Sequence, residues 1–447
     1  MKDVDLPSSR SAPSSSASLD EIAAFVDNAH PVDLAAWLDQ LPRSDAWSHL
    51  ARLALARRAC VFASLPLESQ AELTRAVSPS DIAEIVTQMD TDDRADLFNV
   101  LTPVEQHRLA EHLADEEREN IRQLSAYEAG TAGAIMTTDF AILGAEMTTL
   151  EAIAALRRQA PDTETIYRSY ILDDASHLIG SLRLHELILA MDDALIGDIM
   201  DTSPISVPVT MDQEDVAKII ARYDILAVPV VDAEGRLLGI VTHDDAADAM
   251  QAETTEDFQK ISTVLPFAQN MREAGIRILY SKRIVWLALL VFGNLFSGAG
   301  IAYFEEMILA YVSLVFFLPL LIDSSGNAGS QSATLMVRAL ATGDVALKDW
   351  RNLILRELAV AAALGATMAL VVFPVGALRG GAGIALTVGL TMFVVVIIGS
   401  LVGMSLPFLL TRLRLDPATA SGPLVTTISD GVGVLIYFSI ATLVLGL

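Results

Sequence analysis

The sequence predicts a multidomain protein with an all-α helical-repeat N-domain, an α/β pair of repeated domains and an all-α membrane domain with five transmembrane helices. Three observations lead to this fold class. The 447-residue chain has a net charge of −26, but residues 1–270 carry −28 and residues 271–447 carry +2. A segment beginning at residue 132 recurs at residue 196, and five long apolar stretches follow residue 284.

The acidity of the first 270 residues excludes some partners and favours others. It argues against nucleic acid and anionic lipid surfaces, and it suits multivalent cations. The alternative is that the acids only keep this half soluble. Cys60 is the only cysteine of the chain, which excludes an intrachain disulfide and fits a reducing compartment. Residues 1–18 are rich in Ser and Pro and predict a disordered tail without a secretory signal.

Residues 19–127 are predicted to form the helical N-domain. Segments such as "PSDIAEIVTQMD" and "TPVEQHRLAEHLADE" begin with capping residues and continue with apolar residues three and four apart. Their succession predicts stacked helical hairpins. The acids of "DTDDRAD", Asp90, Asp92, Asp93 and Asp96, taken alone are typical of a solvated helix start.

Residues 128–252 contain the repeat. "AGAIMTTDFAILGAEMTTLEAIAAL" (132–156) aligns with "IGDIMDTSPISVPVTMDQEDVAKII" (196–220), and each copy continues in the order β-α-β-β-α. The segment has no phosphate-binding glycine loop and no nucleophile–base set, and none of the seven histidines has zinc-like spacing. We therefore predict that the protein is not an enzyme. His30 and His185 are interpreted as ordinary surface or core residues.

Residues 253–283 are predicted to be a linker and a plug helix. "ETTED" places Glu253, Glu256 and Asp257 near one another on a helix. "NMREAGIRILYSKR" (270–283) has the pattern of an amphipathic helix at a membrane surface.

Residues 284–447 are predicted to be the membrane domain. A spanning helix needs ~20 apolar residues, and five stretches meet this length: 284–304, 307–340, 353–377, 382–411 and 417–446. Lys and Arg concentrate before the first stretch, between the second and third, and between the fourth and fifth. Since positive loops stay inside, we expect cytoplasmic N-terminal domains, an external C-terminus and an inner (cell) membrane location.

A few polar side chains interrupt these stretches. Asp323 and Asn327 lie in "LPLLIDSSGNAGSQSATL", and Asp430 lies in "SGPLVTTISDGVGVLIYF". A charge at mid-bilayer costs at least ~2.5–3.5 kcal/mol. Asp430 is therefore either protonated against a neighbouring helix or part of a cation path, where the ion offsets the cost. Nearby Pro and Gly residues favour the cation path because broken helices expose carbonyl oxygens. We therefore predict that Asp430, Asp323 and Asn327 are the metal-binding residues of the pore.

The repeat order and the segment "GIVTHDD" (239–245) resemble a tandem CBS pair. Such pairs often bind nucleotides, with Thr242 and Asp245 the expected contacts. With "TTEDFQKI" (254–261), "GNAGSQSATLMVRALATGD" (326–344) and "DPATASGPLVTTISDGVGVLIYF" (416–438), nearly the whole chain resembles the MgtE-type family of magnesium channels or transporters. The resemblance implies a homodimer in the lipid bilayer, with Mg²⁺ passing along the dimer axis at Asp430.

The resemblance also implies that cytosolic Mg²⁺ is sensed between the soluble domains. The positions that match the family's sensing residues are Asp92, Asp96, Asp212, Glu214, Asp224, Asp245, Asp248, Glu253, Glu256, Asp257 and Asp416. ATP is an expected partner at the CBS pair, and nucleic acid is not.

The second apolar stretch departs from the family pattern. Asp323 stands where the family usually has Gly, Ser324 and Ser325 replace a Gly- or Ala-like pair, and Ser330 replaces a common Asn. We predict a magnesium-selective channel or uniporter that cytosolic magnesium closes. One alternative is a carrier for another divalent cation, coupled to sodium or protons. Another is a nucleotide-sensing receptor whose membrane half serves only as an anchor.

Overall fold

The computed structural model describes residue 13, residues 18–267 and residues 274–446. The chain divides into two compact units, Met1–Gln251 and Ala252–Leu447. Most of the predicted tail, and residues 268–273 of the predicted plug helix, lie outside the described residues.

The N-domain is a stack of short helices. Side-chain caps set where several of them begin: Thr102 and Glu105 form a capping box, and the Ser78 hydroxyl accepts a hydrogen bond from the Asp81 amide. Most helices pack on the helix two positions further along the chain, as expected for stacked hairpins. The helices are α1 (Leu19–Asn28), α2 (Pro31–Leu38), α3 (Arg43–Leu50), α4 (Leu55–Ala63), α5 (Leu67–Ala76), α6 (Pro79–Val86), α7 (Thr91–Val100), α8 (Pro103–Ala110) and α9 (Asp115–Leu124).

The repeated segment forms two small three-stranded sheets, each with a parallel and an antiparallel strand pair. The first copy contains β1 (Phe140–Leu143), α10 (Thr149–Gln159), β2 (Thr165–Leu172), β3 (Leu178–Arg183) and α11 (Leu184–Leu189). The second contains α12 (Ile196–Ile199), β4 (Val207–Pro208), α13 (Gln213–Tyr223), β5 (Ala227–Val231), β6 (Leu237–Thr242) and α14 (His243–Ile261). The predicted β-α-β-β-α order is therefore confirmed in both copies.

The two copies exchange backbone hydrogen bonds symmetrically. Thr137 of the first copy pairs with Ile240 of the second in both directions, at 2.8 and 2.9 Å. Asp201 of the second copy pairs with Ser181 of the first, at 2.9 Å each way. Thr137 and Asp201 are one repeat apart, so the same position in each copy contacts the other copy. This exchange creates two related clefts between the copies.

The second unit consists of long apolar helices. They are α15 (Ile276–Tyr303), α16 (Glu305–Ala310), α17 (Ser313–Ala341), α18 (Trp350–Arg412) and α19 (Gly422–Leu445). Among the residues that the structure describes, three helical stretches satisfy both length and hydropathy for a membrane span: Ile276–Tyr303, Leu347–Arg412 and Gly422–Leu445. The helix α18 has 63 residues and bends at Gly381, whose φ of 76° is non-helical, so it supplies two spanning limbs. Each of the five predicted stretches is therefore mainly helical.

Two boundaries differ from the sequence prediction. Residues 276–283, predicted to belong to a separate amphipathic helix, are continuous with α15. The stretch predicted from 307 to 340 is broken into α16 and α17, because Tyr311 leaves helical geometry at φ −133°. The hydroxyl of Tyr437 in α19 donates a 2.9 Å hydrogen bond to the Leu314 carbonyl just after this break, which ties the break to α19.

The helices α17 and α18 touch through their backbones. A Cβ added at Gly399 or Gly403 of α18 would meet the carbonyl oxygens of Ser325 and Gly329 in α17. The Ser325 hydroxyl also donates a 2.9 Å hydrogen bond to the Val395 carbonyl. This close approach fixes the segment of α17 that carries Asp323.

Gly403→Ala should destabilise the membrane unit, because the new methyl group would press on the Gly329 backbone. We expect a loss of about 1–3 kcal/mol, the usual cost of overpacking, measured as a lower midpoint of heat-induced aggregation in detergent. Gly433→Ala is the matched control, since a Cβ there has no neighbour within 4 Å. Equal stability of the two variants would contradict the backbone contact.

Candidate functional site

Acidic side chains from three parts of the soluble unit meet in one cleft of the CBS pair. Asp92 and Asp93 lie in the first turn of α7, and Asp244 and Asp245 lie in the first turn of α14. Glu164 immediately precedes β2. Ligand atoms of Glu164, Asp244 and Asp245 all lie within 4.8 Å of one another. We call the group formed by Asp90, Asp92, Asp93, Asp96, Glu164, Asp244, Asp245 and Asp248 the acidic cleft.

Hydroxyl groups hold α7 against the CBS pair at the edge of the acidic cleft. The Thr91 and Thr137 hydroxyls lie 3.0 Å apart, and the Thr138 amide donates to the Thr91 hydroxyl at 2.9 Å. The Asn120 side chain donates to the Thr138 hydroxyl at 2.9 Å. Ala95 of α7 is buried in the same apolar cluster as the second CBS copy. These neutral contacts bring the acids together.

The pKa values of the cleft carboxyls show the cost of this proximity. Burial, and then the charge of Asp245, raises the pKa of Asp92 to about 9. The same two causes raise the pKa of Glu164 to about 8. Burial first, followed by neighbouring acids, raises the pKa of Asp93 to about 7 and that of Asp96 to about 6. When no metal ion is bound, the arrangement with α7 packed against the CBS pair, which we call the docked arrangement, therefore favours the protonated form of these carboxyls.

Two cleft oxygens are buried without a hydrogen-bond donor. Within the described residues, neither Asp92 Oδ1 nor Glu164 Oε2 has a hydrogen-bond partner. Burial of an unpaired carboxylate oxygen is costly. A hard divalent cation prefers oxygen ligands of this kind. The donor set of the acidic cleft therefore fits Mg²⁺.

The acidic cleft contains some, but not all, of the residues predicted to sense magnesium. Asp92, Asp96, Asp245 and Asp248 come together there, as pairwise charge effects among these acids indicate. Sequence reasoning assigned no role to Glu164 or Asp244. Asp244 is next in sequence to Asp245, which was predicted to sense magnesium. Glu164 lies in a loop where no residue pattern indicates a metal ligand.

Three predicted sensor residues have other contacts. Asp212 accepts a 2.9 Å hydrogen bond from the Glu214 amide at the start of α13. Glu214 pairs with Lys218 at 2.9 Å. Asp224 ends α13 in the left-handed conformation, at φ 51°. None of the three is among the acids of the cleft, so their assignment as ligands stays a prediction.

The second cleft of the CBS pair holds a cavity of about 750 Å³ lined by basic, acidic and aromatic side chains. Its lining includes Tyr167, Arg168, Arg183, His185, Tyr223 and Asp224. Thr242 and Asp245, predicted to contact a nucleotide, do not line it. Thr242 instead donates a short hydrogen bond to Asp245 in the acidic cleft.

The membrane unit presents its own polar group. Asn327 Nδ2 donates a 3.0 Å hydrogen bond to Asp323 Oδ2, one turn away on α17. Both side chains are exposed in the single chain, and Asp430 on α19 is half-buried. The charge of Asp323 acts on Asp430. The helices α17 and α19 thus bring the three predicted pore residues to neighbouring positions.

A carboxyl not singled out from the sequence, Glu357, accepts a short hydrogen bond from the Ser400 hydroxyl.

The remaining predicted sensor acids lie near the end of α14 and at the loop before α19. Glu253, Glu256 and Asp257 are in the last turns of α14. Asp416 caps the turn Pro417–Thr419 by accepting a 2.8 Å hydrogen bond from the Ala418 amide. Lys260 Nζ lies 2.6 Å from Glu256 Oε1 and 2.5 Å from Asp416 Oδ2. Burial acts to lower the pKa of Lys260, but these two partners raise it overall.

The acid-rich soluble unit, the apolar helices and their carboxyl groups define a multi-pass membrane transporter with a soluble N-terminal unit. Models of three protein families match four parts of the chain. The MgtE model, described as a divalent cation transporter, matches residues 318–440, and the MgtE intracellular N domain matches 29–130. CBS domain models match residues 132–193 and 196–252.

Two curated relatives and one solved structure agree with these models. The magnesium transporter MgtE of Thermus thermophilus is 38% identical over 94% of this chain and 94% of its own length. The magnesium transporter MgtE of Bacillus subtilis is 32% identical over 94% of this chain and 93% of its own. The crystal structure of the soluble part of a magnesium transporter is 37% identical, covers 52% of this chain and 92% of its own, and has a TM-score of 0.50. The chain therefore belongs to the MgtE transporter family.

The stability of the soluble unit in EDTA should fall as the pH rises. The pKa values of the cleft acids are raised in the folded state, so protons stabilise it most below pH ~4. This contribution is lost as the pH rises through about 6 for Asp96 to about 9 for Asp92. We expect a lower melting temperature at pH 9 than at pH 6, with recovery on adding MgCl₂.

The double variant Asp92→Asn, Glu164→Gln should flatten this pH dependence and weaken the recovery, because two of the titrating groups are gone. Asp174→Asn, in an exposed hairpin turn, is the control and should keep the wild-type profile. If the double variant has the full wild-type pH dependence, the cleft acids do not cause it.

Proposed function

We propose that the chain carries Mg²⁺ across the cell membrane along a path that includes Asp430, Asp323 and Asn327. The curated relatives are named magnesium transporters, and the three residues lie at neighbouring positions on α17 and α19. Carboxylate and amide oxygens can contact the hydration shell of a hard cation without removing all of its water. Two chains around a two-fold axis would place two copies of Asp430 at one ion, so we propose a homodimer.

We further propose that cytosolic Mg²⁺ regulates this transport through the acidic cleft. The observation that carries this proposal is that Asp92 and Glu164 each have a buried oxygen without a hydrogen-bond partner in the described part of the chain. Mg²⁺ at the cleft replaces repulsion among the acids with shared coordination. It therefore favours the arrangement in which α7 is docked on the CBS pair, because it binds that arrangement better than the undocked one. The docked arrangement is the closed one, and flux stops when cytosolic Mg²⁺ is abundant. In this proposal the soluble unit is cytoplasmic and the C-terminus external.

A nucleotide is a second proposed ligand of the soluble unit. The 750 Å³ cavity in the second cleft combines Arg168 and Arg183 with Tyr167 and Tyr223, and these groups suit phosphate and base respectively. We place ATP there, while the acids around Thr242 and Asp245 would repel its phosphates.

A coupled carrier for another divalent cation is the second candidate for the membrane unit. Asp323 favours it, since this extra carboxyl accepts the Asn327 hydrogen bond and acts on Asp430. Flux of Mg²⁺, Mn²⁺, Co²⁺ and Ca²⁺ in proteoliposomes, with and without a pH or sodium gradient, separates the two. A uniporter is unaffected by the gradients at constant membrane potential.

Asp430→Asn should reduce Mg²⁺ flux in proteoliposomes by at least about tenfold, because it removes the charge that offsets ion dehydration. Asp344→Asn is the control, because Asp344 is exposed and accepts a hydrogen bond from the Thr342 hydroxyl. This variant should carry Mg²⁺ at the wild-type rate. Elution as a single species in size-exclusion chromatography would show that both variants are folded. Wild-type flux through Asp430→Asn would remove Asp430 from the path.

The double variant Asp92→Asn, Glu164→Gln should stay open at Mg²⁺ concentrations that close the wild type, because the cleft loses two ligands. The half-inhibiting Mg²⁺ concentration on the side of the soluble unit should rise by about tenfold or more. Asp174→Asn should leave it unchanged. Inhibition of the double variant at the wild-type concentration would mean that the acidic cleft does not regulate flux.

A further inference from the structure

The end of α14 contains a cation supplied by the chain itself. Lys260 Nζ lies between two carboxylates, 2.6 Å from Glu256 Oε1 and 2.5 Å from Asp416 Oδ2. The Lys260 side chain is 21% exposed, and its partners are 40% and 35% exposed. The ammonium group is therefore largely enclosed by these acids, while the acids remain accessible from solvent.

The neighbouring contacts anchor this part of α14 within the membrane unit. Ile261, the next residue, packs on an apolar cluster with Val337, Ala418 and Ala420. The other oxygen of Asp416 is used to cap the turn Pro417–Thr419, and this turn leads into α19. The Lys260–Asp416 pair thus joins the end of α14 to the segment that begins the Asp430 helix.

We propose that Lys260 is a tethered competitor of divalent cations at Glu256 and Asp416, and that it raises the Mg²⁺ concentration needed for closure. This inference rests on the proposed regulation by cytosolic Mg²⁺ and extends it from the acidic cleft to a second site, at the end of α14. Both carboxylates were matched to sensing positions, and in the structure both are ion-paired with Lys260. A divalent cation that binds them must displace the ammonium group, which remains covalently attached nearby and returns when the cation leaves.

Competition by Lys260 predicts the direction in which removing its charge changes the Mg²⁺ concentration needed for closure. Without the ammonium group, Glu256 and Asp416 are two carboxylates without their shared counter-charge, and Mg²⁺ binds them with no displacement step. Closure then needs less Mg²⁺. A Lys260 that acted only as a structural clamp would have the opposite effect, because its loss would loosen α14 from the turn before α19.

Full-length Lys260→Met tests the proposal in proteoliposomes, with Mg²⁺ varied on the side of the soluble unit. The methionine keeps an apolar stem beside Ile261 and removes the charge. The half-inhibiting Mg²⁺ concentration should fall roughly three- to tenfold, the range expected for two partly exposed ion pairs. Lys260→Arg keeps the charge and should stay within about twofold of the wild type.

The double variant Glu256→Gln, Lys260→Met identifies the carboxylate on which the effect depends. It should lose most of the decrease seen with Lys260→Met, because one of the released ligands is gone. Should Lys260→Met not yield a single folded species, Lys260→Gln replaces it. An unchanged or higher half-inhibiting concentration in the charge-free variant, or the same decrease in the double variant, would overturn the proposal. A wild type that Mg²⁺ does not inhibit would instead refute the regulation itself.

Discussion

In the soluble unit, contacts between neutral side chains hold together acidic side chains that repel one another. The hydroxyls of Thr91, Thr137 and Thr138 and the buried Ala95 dock α7 on the CBS pair. The same docking places Asp92 in the field of Asp245. Protons or cations that reduce the repulsion therefore stabilise the docked arrangement. Solution conditions, and not the covalent structure alone, then set how firmly the N-domain is held.

Differences between the two CBS copies give the two clefts different charge. Arg183 and Glu186 begin α11 of the first copy, and Thr242 and Asp245 occupy the corresponding positions at the start of α14. Arg183 pairs with Glu186, whereas Thr242 only donates a hydrogen bond to Asp245. One cleft therefore keeps a mixed lining of acidic and basic side chains, and the other gathers carboxylates. The two copies thus place different side chains at the same positions of the repeat.

Much of the fold could be predicted from the sequence, because local signals and tertiary structure agree. The Thr102–Glu105 capping box marks a real helix start, and the repeat at residues 132 and 196 corresponds to two real CBS copies. Asp92 and Asp245 were assigned through family resemblance and do meet. Glu164 could not be found, since it enters the cleft from a loop whose position depends on the pairing of the two copies. The break at Tyr311 was also missed, because its partner Tyr437 is distant in sequence and apolar periodicity continues across it.

The backbone contact between α17 and α18 restricts how the membrane unit can move. With Gly399 and Gly403 against the carbonyls of Ser325 and Gly329, neither helix can slide or rotate past the other without a collision. The close contact therefore fixes the position of α17 relative to α18 along this part of their length. The helix α15 is less enclosed, since none of its residues is buried in the single chain; its contact with the rest of the unit runs through α19, where a Cβ at Gly293 would meet Thr427.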